Sequence, residues 1–149
     1  MKIVTWNVNS VRKRETIILD WLAANDPDVL LLQETKVVDA SFPRAGFEER
    51  GYRLALFGEP GRNGVAIVAK APLEDVTRGL PGEDDDAQAR YVEATVGGIR
   101  VASVYVPNGT AVDNPNFAYK LRFFERLRRH VALRLEAEIG ARPHRCTQQ

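Results

Sequence analysis

Hydrophobic and polar positions in the first part of the chain follow two spacings, one typical of strands and one of helices. Residues 2–6 are mostly β-branched or aromatic, which predicts a strand that ends at Asn7–Ser10, with Ser10 or Asn9 positioned to cap the following helix. Apolar residues then recur at helical spacing from Ile17 to Leu22, and Asn25-Asp26-Pro27 ends this helix. Val29–Leu32 is a continuous apolar run, typical of a strand covered on both faces. Strand, helix and strand in this order predict a right-handed βαβ unit with two parallel strands.

The rest of the chain is rich in predicted strands and closes on one long helix. Strands are predicted at residues 52–57, 65–69, 91–96 and 99–106. Gly97-Gly98 separates the last two strands, and two glycines between such runs indicate a hairpin. Apolar residues from Phe117 to Leu135 step by three or four, which predicts an amphipathic helix over 115–138. Residues 140–149 lack any such period, and we predict a disordered tail there.

Composition places the chain among ordinary soluble globular proteins. It has 149 residues, of which 44% are hydrophobic and 28% charged, so we expect a buried core rather than disorder. No apolar run reaches the roughly 18 residues that a membrane span needs, so we expect no membrane partner. The chain starts without the apolar middle of a signal peptide and has one cysteine. Together these features predict a cytoplasmic protein.

Charge is balanced overall but unevenly distributed along the chain. The formal net charge is +1, which excludes no class of partner. The segment Lys120–Arg134 is nevertheless strongly basic, with Glu125 as its one acidic residue before Arg134. This segment is either a contact for phosphates or an ordinary solvated helix face, and charge alone does not decide between them.

Two polar positions are expected at one edge of the predicted sheet. Asn7 follows the first strand, and Gln33-Glu34 follows the second. The carboxyl ends of parallel strands share an edge, so we expect the side chains of Asn7 and Glu34 to lie close together. A carboxylate at a core boundary needs a partner, and Mg²⁺ suits it because this ion takes carboxylates, water and phosphate. The alternative is structural: Asn7 caps the helix, and Glu34 pairs with Lys36 or an arginine.

Three further polar residues lie at strand ends or turns. Tyr105 closes a predicted strand, where its phenol is suited to donate a hydrogen bond to a phosphate or simply to pack. Asn63 and Asn108 each precede a glycine, a position where asparagine is common for backbone reasons alone. At this point each of the three keeps both a functional and a structural interpretation.

Four short motifs carry a family resemblance in their order and approximate spacing. They are residues 1–12 (Met-Lys-Ile-Val-Thr-Trp-Asn-Val-Asn-Ser-Val-Arg), 31–36 (Leu-Leu-Gln-Glu-Thr-Lys), 63–66 (Asn-Gly-Val-Ala) and 105–109 (Tyr-Val-Pro-Asn-Gly). Together they resemble the exonuclease III family, which contains bacterial exodeoxyribonuclease III and apurinic/apyrimidinic endonucleases of the DNase I-like superfamily. The resemblance implies a DNase I-like four-layer α/β sandwich, of which we expect this chain to hold one mixed sheet with its helices.

The resemblance also implies a role for each matching residue. Glu34 is then the carboxylate ligand of a catalytic Mg²⁺ or Mn²⁺, and Asn7 holds the same metal or the phosphate. Tyr105 is then a catalytic residue that faces the scissile phosphate. Contacts with DNA are implied for Asn63, Arg90, Asn108 and Lys120.

The implied activity is metal-dependent phosphodiester hydrolysis in DNA repair. Its substrates are double-stranded DNA, trimmed by 3′-5′ exonuclease action, and abasic-site DNA, incised 5′ to the lesion. The family continues beyond the long helix with a Gly-Asp-x-Asn motif and ends with Ser-Asp-His, and this sequence contains neither. We therefore expect residues 1–139 to be the N-terminal half of such a domain and the chain to be inactive alone. An uncovered sheet face would also favour self-association.

Two other functions remain as alternatives. One is another DNase I-like phosphoesterase that acts on inositol phosphates or lipids, which the first and fourth motifs make less favoured. The other is a non-catalytic nucleic-acid-binding fragment that uses the basic segment Lys120–Arg134, with an affinity that falls steeply as salt rises.

Overall fold

The chain forms two compact units in a computed structural model that describes residues 1–141. The first unit comprises Met1–Gly79 together with Asp85–Val106. The second comprises Leu80–Asp84 and the described residues from Pro107 onward.

The first unit begins with the βαβ arrangement that the sequence predicts. Strands β1 (Ile3–Asn7) and β2 (Val29–Gln33) run parallel, and helix α1 (Val11–Asn25) connects them. Ser10 caps the start of this helix, and its hydroxyl oxygen accepts a hydrogen bond from Lys13 N. Such a cap satisfies one of the N–H groups that a helix start leaves unpaired. The βαβ prediction is confirmed, and so is Ser10 as the helix cap. The structural alternative, in which Asn7 caps the helix, is not observed.

Two antiparallel strands complete the first sheet. A short 3-10 turn at Asp39–Ser41 and helix α2 (Arg44–Glu48) precede β3 (Arg53–Phe57) and β4 (Val65–Ala69). The strand order is β1-β2-β4-β3. All residues of β4 are buried because the strand lies inside the sheet and is covered on both faces.

A second sheet of three antiparallel strands packs against the first. Its order is β5 (Leu73–Arg78), β6 (Tyr91–Val96) and β7 (Ile99–Val104). Gly97-Gly98 joins β6 to β7, which confirms the predicted hairpin. The α/β class is confirmed, but the expectation of one mixed sheet is wrong because the chain builds two. The polar pattern of β5, Leu-Glu-Asp-Val-Thr-Arg, hid this edge strand from the sequence prediction.

Two apolar clusters hold the first unit together. One lies between α1 and the first sheet, and its buried members include Ile18, Leu22 and Leu30. The other fills the layer between the two sheets and includes Ile67 and Val92. Each fully buried side chain of this size contributes about 1.5–3 kcal/mol to the free energy of unfolding.

The first sheet extends one strand beyond the second. Strand β3 faces β5, β4 faces β6 and β2 faces β7, which leaves β1 beyond the last strand of the second sheet. Ile3 pairs with Val29, a member of the inter-sheet cluster, so both side chains lie on the inner face. Ile3 is nevertheless 43% exposed. Within the described residues, this side of the first unit is therefore stepped, with β1 and β7 as edge strands.

The second unit contains the loop Leu80–Asp84, the segment 107–114 and helix α3 (Pro115–Ala141). Arg126 on α3 is 8% exposed, and its guanidinium donates to the backbone carbonyls of Leu80 and Pro81. This buried arginine therefore fastens the loop to the helix.

Helix α3 is longer than predicted and differs in which residues it buries. It runs to Ala141, so it enters the segment 140–149 that we predicted as a tail; residues 142–149 lie outside the described residues. Most of the apolar residues that gave α3 its period are exposed, among them Leu121, Phe124, Val131 and Leu135. No described helix is both long and apolar enough to cross a membrane.

Candidate active site

Several strand ends and turns of the first unit meet around Glu34. Asn7 is the last residue of β1, and Glu34 directly follows β2, which runs parallel to β1. Tyr105 directly follows β7, and Asn63-Gly64 directly precedes β4, which is antiparallel to β2. The predicted proximity is observed, because Asn7 Nδ2 donates a hydrogen bond of 2.8 Å to Glu34 Oε1.

The backbone around Glu34 is held in an uncommon conformation. Glu34 and Lys36 have φ values of 54° and 55°, the left-handed region that few non-glycine residues adopt. Thr35 N donates to Gly64 O (3.2 Å) and Lys36 N donates to Asn63 O (2.9 Å). Ser10 N, at the start of α1, also donates to Glu34 O (2.8 Å). The turn that carries Glu34 is therefore clamped between α1 and the turn before β4.

The carboxylate of Glu34 interacts with three side chains. Besides Asn7, the Tyr105 hydroxyl hydrogen-bonds to it, and Lys36 Nζ lies 3.5 Å from Oε2. The hydrogen bond from Asn7, helped by those from Tyr105 and Lys36, holds the pKa of Glu34 below its usual value, although partial burial opposes this. Glu34 is therefore an anion at neutral pH, and the alternative pairing with Lys36 is also observed.

Lys36 has a second and closer partner. Its Nζ donates to Asn9 Oδ1 over 2.6 Å, and Asn9 N donates to Asn7 Oδ1 over 3.2 Å. Lys36 and Asn9 line a surface pocket of about 220 Å³, together with basic residues that include Arg12 and Lys13. The carboxylate of Glu34 is thus linked through Lys36 to a basic, solvent-open pocket.

Tyr105 and Arg90 form a connected pair. Tyr105 N donates to Arg90 O (2.8 Å), and the Arg90 guanidinium carbon lies 4.9 Å from the centre of the Tyr105 ring. Burial and the hydrogen bond to Glu34 raise the pKa of Tyr105, while Arg90 opposes the rise. The phenol therefore stays protonated at neutral pH and acts as a hydrogen-bond donor.

The other predicted DNA contacts are located as follows. Asn63 is 5% exposed and left-handed (φ 50°), and its side-chain nitrogen has no hydrogen-bond partner among the described residues. Its observed role is to shape the turn before β4. Asn108 and Lys120 belong to the second unit. Asn108 is exposed and accepts a hydrogen bond from Thr110 N (3.1 Å), and Lys120 Nζ lies 5.7 Å from the centre of the Phe124 ring.

A buried polar bridge behind Glu34 escaped the sequence prediction. Gln33 Nε2 donates to Ser103 Oγ and to Thr5 Oγ1, each over 3.0 Å. Ser103 Oγ in turn donates to Leu32 O over 2.7 Å. The bridge ties β7 to β2 next to the site. Its signals in the sequence are a glutamine that ends an apolar strand and a serine inside another.

The donor set around Glu34 fits a hard divalent cation with few protein ligands. Glu34 supplies a carboxylate and Asn7 an amide group that touches it, and Mg²⁺ is commonly held by one or two carboxylates with water and substrate phosphate. Within the described residues, no three His, Cys, Asp or Glu side chains cluster into a closed metal site.

The chain resembles known nucleases in sequence. Residues 4–144 match the Endonuclease/Exonuclease/phosphatase family. Exodeoxyribonuclease III of Haemophilus influenzae is 32% identical over 136 residues, which cover 88% of this chain and 51% of that protein.

Solved structures show the same similarity. An AP endonuclease from Archaeoglobus fulgidus superposes with a TM-score of 0.82 at 46% identity, over 85% of this chain and 49% of that one. The 3′-5′ exonuclease NExo from Neisseria meningitidis gives 0.89 at 43% identity, over 91% and 53%. NExo, there described as a 3′ phosphatase, has also been solved with a product DNA hairpin.

These similarities share one limit of extent. The chain spans about half the length of the proteins it matches. The family match, in contrast, covers nearly the whole chain. This chain belongs to the endonuclease/exonuclease/phosphatase family.

Proposed function

We propose that this chain forms the metal- and phosphate-binding part of a DNA-repair nuclease site of the exodeoxyribonuclease III type. The observation that supports this most is the grouping of Asn7, Lys36 and Tyr105 around the carboxylate of Glu34. A carboxylate and an amide are groups suited to a divalent cation, and hydroxyl and ammonium donors are suited to a phosphate, which supports this proposal. The names of the relatives, which include an exodeoxyribonuclease, an AP endonuclease and a 3′-5′ exonuclease, support DNA as the substrate.

The proposal gives a role to each residue that the family resemblance singles out. Glu34 would be the carboxylate ligand of Mg²⁺ or Mn²⁺, and Asn7, which hydrogen-bonds to it, would hold the same ion or the phosphate. The ion would supply Lewis-acid stabilisation of the phosphoryl oxygens. Tyr105 donates its proton in a hydrogen bond to the scissile phosphate. Arg90 supports the Tyr105 ring and contacts the DNA backbone. Asn63, Asn108 and Lys120 remain predicted DNA contacts, with abasic-site and intact double-stranded DNA as partners.

We also propose that the chain does not hydrolyse DNA on its own. The three groups that contact the Glu34 carboxylate are an amide, a phenol and an ammonium group. An amide accepts no proton at neutral pH, and the Tyr105 phenol, whose pKa is raised, stays protonated. Neither group is therefore a general base, which typically speeds hydrolysis by about 10²–10⁴-fold.

The non-catalytic nucleic-acid-binding alternative relies on the basic residues of α3. Several of these already have protein partners: Arg126 is buried against the loop of its unit, and Arg128 and Arg129 pair with Glu125 over 2.6 and 3.0 Å. The hydrogen bond from Arg128 lowers the pKa of Glu125 to about 2, so these pairs persist at neutral pH. The arrangement favours a partly neutralised helix face over a free basic surface.

Fluorescence anisotropy with labelled duplexes tests the proposed function. One duplex carries a tetrahydrofuran abasic analogue and the other is intact, and each is measured with Mg²⁺ or with EDTA. We expect tighter binding to the abasic duplex in Mg²⁺ only, and loss of this preference in Glu34→Gln. Glu48→Gln is the matched control, because Glu48 is an exposed carboxylate on α2 that pairs with Arg44.

Two results would contradict the proposal in different ways. Salt-dependent binding without abasic preference or metal dependence would favour the nucleic-acid-binding alternative. Incision of the abasic strand that disappears in Glu34→Gln would overturn the proposed inactivity while supporting the metal site.

A further inference from the structure

We propose that Lys36 is a built-in competitor of the divalent cation at Glu34. Its ammonium neutralises the carboxylate in the metal-free protein and withdraws towards Asn9 when the cation binds. This inference rests on the metal site proposed above. It concerns how the Glu34 carboxylate is neutralised without the cation and becomes available when the cation binds.

Both oxygens of the Glu34 carboxylate already have cationic or N–H neighbours. Oε1 accepts from Asn7 Nδ2 at 2.8 Å, and Oε2 faces Lys36 Nζ at 3.5 Å. A cation that binds this carboxylate in the usual way comes within about 2.1 Å of an oxygen. It therefore meets the ammonium of Lys36 at close range, and one of the two positive charges has to move.

Of the two positive charges, the ammonium group of Lys36 is the one that can move. Its closer hydrogen bond is to Asn9 Oδ1 at 2.6 Å, and its contact with Glu34 is the longer of the two. The side chain of Lys36 is 32% exposed, and it lines the pocket of about 220 Å³ that it shares with Asn9. The ammonium group can thus leave Glu34 while it keeps a polar partner and access to water.

The backbone of Lys36 fixes where this competitor starts. Its φ of 55° and the hydrogen bond from Lys36 N to Asn63 O at 2.9 Å hold the residue in the same clamped turn as Glu34. Only the flexible side chain is free to respond. Lys36 therefore acts as a positioning residue and is not assigned to the chemical step.

The size of the effect follows from simple electrostatics. A monovalent and a divalent cation about 5 Å apart at a solvated surface repel each other enough to weaken metal binding about three- to tenfold at physiological salt. Removing the charge of Lys36 is expected to strengthen Mg²⁺ binding by this factor. Keeping a positive charge at the position is expected to preserve the wild-type affinity.

The test is a titration with Mg²⁺ alone, in phosphate-free buffer at constant ionic strength. Binding is monitored by ¹H–¹⁵N NMR spectra recorded at each Mg²⁺ concentration. It compares the wild type, Lys36→Gln and Lys36→Arg. Lys13→Gln is the matched control. Lys13 lines the same pocket as Lys36 but is not one of the three side chains that contact Glu34. We expect a three- to tenfold lower Kd in Lys36→Gln and a Kd within about twofold of wild type in the other two.

A second readout uses the wild-type protein, so it does not depend on the folding of any variant. The ¹³Cε signal of Lys36 is expected to shift with the same Mg²⁺ dependence as the amides of residues 34–36, while that of Lys13 stays still. An unchanged or weaker affinity in Lys36→Gln, or a Lys36 signal that ignores Mg²⁺, overturns the inference. If Glu34→Gln keeps the Mg²⁺-dependent shifts, the proposed metal site itself is wrong.

Discussion

At the scale of single residues, Glu34 shows how a charge is kept at the border of an apolar sheet. It follows β2, whose residues are buried apart from one, so its carboxylate loses part of its hydration. The hydrogen bonds from Asn7 and Tyr105 replace that hydration, and Lys36 balances the charge. A carboxylate solvated in this way by side chains stays ionised and ready for a cation.

The first prediction concerns the pKa of Glu34. Because the hydrogen bond from Asn7 is the largest cause of its lowered pKa, we expect Asn7→Ala to raise that pKa. A carboxylate with a lowered pKa stabilises the fold above its unfolded pKa, and this contribution is lost as the pH falls through the folded value. The variant is therefore expected to unfold more easily at neutral pH, with less additional loss in acid.

The measurement is an NMR titration of the Glu34 carboxyl carbon, combined with chemical unfolding at several pH values. Asn25→Ala is the control, because Asn25 also donates through its amide, to Trp21 O at the far end of α1. A titration midpoint for Glu34 that is the same in Asn7→Ala and in wild type would show that Asn7 does not set this pKa.

At the scale of elements, the turn before β4 holds the backbone of the turn that carries Glu34. Gly64 has a φ of 94°, and a Cβ placed on it would lie 2.1 Å from Thr35 Oγ1. Gly64 N also donates to Ala89 O, while Gly64 O accepts from Thr35 N. The turn thus needs the absence of a side chain both for its backbone conformation and for its close approach to the Glu34 turn.

The second prediction separates these two needs. Gly61→Ala and Gly64→Ala both place a side chain on a left-handed backbone, which costs about 1–2 kcal/mol. Gly61 has a φ of 69° and open space around its Cβ, so its variant suffers the backbone strain alone. In Gly64→Ala the overpacking is expected to lower the free energy of unfolding by a further ~1–3 kcal/mol. Urea unfolding of both variants measures the difference, and equal losses would mean that Thr35 moves aside easily.

Part of this fold could be predicted from the sequence, and the same elements show which part. The spacing of residues predicted β1, α1, β2 and the β6–β7 hairpin, because local period and turn chemistry dictate them. The meeting of Asn7 with Glu34 also followed, from the parallel direction of two strands. The second sheet was missed because β5 is polar and its pairing with β6 depends on residues far away along the chain.

The finer contacts of the site depend on tertiary structure in the same way. Gln33 and Ser103 stand out as polar residues in apolar strands, but the sequence does not say that they meet across the two sheets. It also does not indicate that Lys36 bonds to Asn9. The period of α3 predicted a helix correctly, but a period does not say which face a neighbour covers. Local patterns therefore predict elements, whereas the partners of each side chain come from the fold.

At the scale of the whole first unit, the important feature is its stepped edge. Strand β1 lies beyond β7, so the inner face of β1 has no strand of the second sheet opposite it within the described residues. Ile3 on this face is 43% exposed, although it continues the apolar layer of Val29. An edge strand with unpaired N–H and C=O groups and an apolar neighbour is prone to pair with another chain.

The third prediction is that the protein self-associates through this edge. We propose that β1 mediates the contact, and sedimentation velocity is expected to show a weight-average mass that rises with protein concentration. Ile3→Lys places a charge on the inner face of the edge strand, a change that discourages edge pairing, and should return the protein to monomers. Ile17→Lys is the matched control, since Ile17 is 57% exposed on α1 and away from the strand edge. A wild type that stays monomeric at all concentrations, or equal effects of the two lysines, would show that the stepped edge does not drive association.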